Sequence, residues 1–82
     1  MTLEHHPLIK EFPEYRAQIH RLKTEDPEFR QLFDEYHEVD REVFRIDQDL
    51  EPVSDATAAQ LKRRRLFLKD WLFQRLRDAA HG

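Results

Sequence analysis

Cysteine is absent from the 82 residues, which excludes disulfides, thiol nucleophiles and thiolate metal sites. Glycine is almost absent as well. The single Gly82 leaves no glycine-rich phosphate loop and none of the turn glycines that a sheet requires. Serine occurs only at Ser54, so no serine, histidine and carboxylate constellation can be assembled. Strongly apolar residues never run more than three together, far short of the ~20 that a membrane-spanning helix needs. The segment from Met1 to Pro7 has neither the basic nor the apolar region of a secretory signal. Positive charge is not in excess either: 14 Lys and Arg against 17 Asp and Glu give −3, so the chain as a whole is no polycation for nucleic acid or anionic lipid. These absences predict a cytoplasmic, non-enzymatic chain with no cofactor, no catalytic residues and no membrane association.

What remains is helix-forming material. The chain is 38% charged and 39% hydrophobic, with four prolines as punctuation, a balance that predicts an all-α fold of long helices and brief breaks. Its length allows one domain, residues 1–82. A chain so short buries little surface, so a homo-oligomer, dimer or tetramer, is expected, with a monomer as the alternative.

Prolines at 7, 13, 27 and 52 mark boundaries, because proline disfavours helical geometry in the residue before it. Residues 1–12 read as an N-terminal arm. Pro13-Glu14-Tyr15-Arg16 and Pro27-Glu28-Phe29-Arg30 repeat one pattern, proline in the first turn followed by acid at the positive end, and both read as helix starts. Shared N-terminal chemistry explains the repeat better than duplication. The expected helices cover residues 13–24, 27–51 and 55–79. Asp26 caps the second, which should fail at Glu51 before Pro52, and Ser54 or Asp55 caps the third.

Along the second helix Phe29, Leu32, Tyr36, Val39, Val43, Ile46 and Leu50 step by three and four, the seam of a coiled-coil-like rod. Chance places apolar residues at all seven positions in roughly one sequence in a hundred. On the third helix Leu61, Leu68, Leu72 and Leu76 share one face. The short link implies an antiparallel hairpin in which facing residue numbers add to about 107, bringing Ile46 to Leu61, Val39 to Leu68 and Tyr36 to Trp71 and Leu72. The expected architecture is a short N-terminal helix followed by this long hairpin. Leu66, Phe67, Trp71 and Phe73 widen the third helix's apolar arc to roughly 220°. Phe33 and Phe44 lie beside the seam on the second. One neighbour cannot cover so wide an arc, so these six residues form a candidate surface for self-association or an unidentified protein partner.

With these pieces in order, the chain resembles the YdcH-like family of small bacterial proteins of undetermined function. The resemblance rests on Phe12-Pro13-Glu14-Tyr15, Ile19 with Leu22-Lys23, Asp26-Pro27 with Phe29, and Leu32-Phe33-Asp34-Glu35-Tyr36. It continues through Val39-Asp40, Glu42-Val43, Leu61-Lys62, Leu66 and Leu68-Lys69-Asp70. It implies a self-associating helical hairpin and brings no catalytic residue or cofactor. Trp71-Leu72-Phe73 departs from the pattern, where more polar residues would be expected.

Charge offers two further readings. Lys62-Arg63-Arg64-Arg65 is a basic run, and with Lys69 the residues Lys62, Arg63 and Arg64 could bind a phosphate or nucleic acid locally. Consecutive helical residues point about 100° apart, however, so the run forms no single stripe. An inter-helix ion pair between Arg65 and Asp40 fits the proposed register, and Lys69 and Asp70 could bracket the seam as pairing charges. His37, three residues after Asp34, has the spacing of a helical di-iron ligand pair, but no second copy accompanies it. His5 and His6 near Glu4 could hold zinc only adventitiously. Metal ligands are therefore not assigned, and nucleic acid is an unfavoured partner.

Overall fold

Two side-chain caps start the two long helices. The Asp26 carboxylate accepts the amides of Glu28 and Phe29 at 3.1 and 3.2 Å, filling orphan donors of the first turn while Pro27 sits where no N–H is needed. Ser54 does the same downstream. Its hydroxyl accepts the Thr57 amide at 3.1 Å and donates to the Thr57 hydroxyl at 3.0 Å. The computed structural model describes residues 7–50 and 52–81, and among these all regular structure is helical. Helix α1 is Leu8–Glu11, followed by a 3-10 turn at Pro13–Tyr15; α2 is Arg16–Glu25, α3 is Pro27–Asp47 and α4 is Asp55–His81. The fold is all-α.

Helix α3 stops four residues earlier than the expected end at residue 51. Asp49 adopts φ 59°, the Leu50 amide donates to the Arg45 carbonyl at 2.9 Å, and the Asp49 amide donates to Ile46 at 3.0 Å. Those two bonds form a Schellman motif, with Asp49 taking the left-handed position more often given to glycine. The stop has a consequence for the seam: Leu50 leaves the helical face and is 71% exposed, so it is not a seam residue. Glu51 lies outside the described residues.

Ion pairs record how α3 and α4 meet. Lys62 lies 3.2 Å from Asp47 and Arg65 3.2 Å from Asp40, while Arg64 pairs with Glu35 and Arg75 with Asp26. From Lys62 to Arg75 of α4 the partners run from Asp47 at the end of α3 to Asp26 at its cap, with Glu35 and Asp40 between them. The molecule measures 42 × 25 × 18 Å, and its long axis is close to the ~40 Å that a helix of α4's length spans.

One core fills the space between the helices. Phe29, Tyr36, Val39 and Val43 of α3 and Leu68, Leu72 and Leu76 of α4 are buried, with Leu32, Ile46 and Leu61 half-buried beside them. Ile19 of α2 and Leu8 of α1 complete it. Residues 7–12 are therefore part of the packed structure and not only an arm. The helix expected at 13–24 divides into the 3-10 turn and α2, since Tyr15 has φ −105° and ψ 19°, outside helical geometry.

Candidate functional site

The basic run is dispersed around α4. Arg64 turns to Glu35 and Lys62 to Asp47. Arg65 reaches Asp40, which is only 2% exposed, and Lys69 meets Glu11 of α1 at 2.6 Å. Arg63 points to solvent and forms no ion pair among the described residues. Three of these cations, Lys62, Arg65 and Lys69, do converge with Glu11, Tyr36 and Leu66 on one open groove of about 370 Å³. Each already faces a carboxylate, so an incoming anion would have to displace Asp47, Asp40 or Glu11 before gaining its own contacts.

Tyr36 is fully buried beneath this groove, and burial pushes its hydroxyl far above the ordinary phenol value. The negative charges of Asp40 and Glu11 act in the same direction, against a smaller opposing effect of Arg65. A phenol so placed stays protonated at neutral pH. Asp26 is shifted the other way. The Phe29 amide hydrogen bond, assisted by the Arg75 guanidinium and the Glu28 amide, holds its carboxyl below the usual carboxylate range despite partial burial.

Both nitrogens of the His37 ring are engaged. Nε2 accepts the Leu8 amide at 3.1 Å, and Nδ1 lies 2.9 Å from the Phe33 carbonyl, which requires the tautomer that donates from Nδ1. That arrangement leaves no lone pair for a metal. Among the described residues no group of three His, Asp or Glu side chains could hold an ion. His5 and His6 lie outside the described residues.

The six residues of the candidate partner surface are not equivalent. Phe73 is covered from the N-terminal side, its ring 5.0 Å from Phe12 and 6.0 Å from Tyr15. Phe33 packs between Phe29 and His37 at 6.1 and 4.3 Å, with Lys23 over its face. Trp71 is half-buried with the Arg75 guanidinium 5.0 Å above it, and Phe44 is also half-buried. Only Leu66 and Phe67 among the six stand clear, at 59% and 63% exposure. The surface is therefore smaller than the sequence suggests, because α1 and the 3-10 turn cover one edge of α4. Nothing periodic in residues 7–15 announced that role; the local cue was an apolar pair, Leu8-Ile9, and two aromatics, Phe12 and Tyr15, on either side of Pro13.

An all-helical chain held by a mixed apolar and ion-paired interior is the class these features define. By comparison with known proteins, the chain belongs to the DUF465 family, a protein family of unknown function, whose model matches residues 29–76. It is 38% identical over 69 residues to the uncharacterised protein YdcH of Escherichia coli strain K12, covering 84% of this chain and 93% of that one. The uncharacterised protein YdcH of Shigella flexneri is similar to the same degree and extent. No solved structure matches significantly. No helix of the described residues is long and apolar enough to cross a membrane.

Proposed function

We propose that the chain is a non-enzymatic protein–protein interaction module of the cytoplasm that associates with copies of itself. Its framework is the short N-terminal helical segment followed by an antiparallel, coiled-coil-like hairpin of α3 and α4. The observation that carries this reading is the adjacent exposed pair Leu66 and Phe67 near the middle of α4, on a helix whose other side already buries Leu68, Leu72 and Leu76. Exposed apolar groups at the centre of a rigid rod, ringed by charge, have the makeup of an interface core and its rim. Local anion binding by Lys62, Arg63, Arg64 and Lys69 is the weaker reading, since three of those four side chains hold carboxylates of the same chain.

Light scattering of the full chain across micromolar concentrations tests the proposal. A mass at a multiple of 10.1 kDa supports it, and a constant 10.1 kDa overturns it. Measuring nucleic-acid binding by the same chain at low and high salt tests the weaker reading separately, because phosphate binding, if present, weakens steeply with salt.

A further inference from the structure

The side of α4 turned away from the core carries an ordered row of groups. At 100° per residue, the line opposite Leu72 passes through Arg63 and Asp70, which stand two turns apart, with Leu66 and Phe67 to either side between them. Ala59 and Gln74 extend the row in the two directions. All six are exposed. Arg63 and Asp70 also differ from Lys62, Arg64, Arg65 and Lys69, which all pair inward: among the described residues neither of the two forms an ion pair. Read from one end, the row is basic, apolar, apolar, acidic. Such a row is complementary to itself when reversed.

We propose that this face of α4 is a homodimer interface, on which a second copy of the chain docks its own α4 antiparallel about a twofold axis passing between Leu66 and Phe67. This rests on the self-association reading and specifies its surface and partner. The axis sets Arg63 opposite the partner's Asp70, and Asp70 opposite the partner's Arg63, while Leu66 and Phe67 meet the partner's Phe67 and Leu66. Every charged contact occurs twice, as an isologous interface demands. Parallel docking would instead oppose Arg63 to Arg63 and Asp70 to Asp70, so the charges select direction. Ala59 presents little bulk opposite the partner's Gln74 where the rods continue past the centre, which permits the ~8–10 Å interaxial distance of packed helices.

The test compares the full-length chain with Arg63→Asp, Asp70→Arg, the double swap and Phe67→Glu, by sedimentation equilibrium with circular dichroism to check helicity. Each single swap turns two attractive pairs into two repulsive ones and should weaken association by roughly tenfold or more. The double swap restores attraction and should return association close to that of the unaltered chain. Phe67→Glu should leave a helical monomer. If the unaltered chain associates but neither the swaps nor Phe67→Glu alter it, another face is the interface and only this proposal fails. Should the single swaps weaken association without rescue by the double swap, the twofold register is wrong. An unaltered chain that stays monomeric overturns both this inference and the self-association reading beneath it.

Discussion

Truncating Arg65 to alanine removes the guanidinium that lies 3.2 Å from the buried Asp40 carboxylate, and the expected loss is on the order of 3 kcal/mol. In a chain of this size that corresponds to a fall in melting temperature of roughly 12–24 °C. Most of the cost arises from the carboxylate left behind, because Asp40 keeps its desolvation and loses a facing positive charge. Replacing both partners together, Asp40→Leu with Arg65→Met, should therefore cost much less than Arg65→Ala alone. Thermal melts of the two variants check this, and a double variant as unstable as the single one would show that the pair contributes attraction well beyond its desolvation. The same contrast separates Arg65 from Arg63, whose truncation should leave monomer stability unchanged within ~0.5 kcal/mol because it lies on the solvent side of α4.

At the scale of the element, the start of α3 depends on pH. Asp26 has a folded-state pKa below its unfolded value, so its stabilising contribution is complete above about pH 4 and is lost as pH falls through the lower folded value. Acid should loosen the first turn of α3 and its tie to Arg75 of α4 together. Asp26→Asn keeps a capping oxygen but removes the charge, so it should melt between the unaltered chain and Asp26→Ala at pH 7. Its melting temperature should also vary less with pH below 4 than that of the unaltered chain. Melts at pH 7 and pH 3 test both points. The far end of α3 obeys a different rule. There the backbone closes on itself through the amides of Asp49 and Leu50.

For the whole molecule, the N-terminal segment acts as a cover. Leu8 is buried in the common core, its amide is held by His37, Glu11 reaches Lys69, and Phe12 packs on Phe73. Leu8→Ala should then cost ~2–5 kcal/mol, the range for emptying a buried leucine site, and should raise binding of an apolar dye as Phe73 is uncovered. A variant that melts with the unaltered chain would mean that residues 7–12 do not contribute to the cooperative core. The cover also decides the shape of the remaining surface. Because it occupies one edge of α4, the large apolar side chains that α4 leaves exposed are Leu66 and Phe67 on the outer side, apart from Leu50 and Val53 in the link before it.

The all-helical class and the family were legible from residues alone, since both rest on composition, proline spacing and the order of short pieces. Caps at Asp26 and Ser54 are equally local, being hydrogen bonds made within three residues. The end of α3 was harder to read, because proline at 52 constrains only its immediate predecessor and aspartate is an uncommon choice for the left-handed site at 49. Which apolar and charged side chains remain free was legible only in part: Leu66 and Phe67 stood on the expected outer arc, but so did Trp71 and Phe73, which are half-buried. A period of three and four identifies a face of a helix but not what lies against it. Only the tertiary structure decided that Phe12 and Tyr15 cover Phe73, that Lys69 takes Glu11, and that Leu66, Phe67, Arg63 and Asp70 face outward. Those outcomes depend on segments distant in the chain meeting in space, whereas helix formation and capping depend on neighbours within a turn.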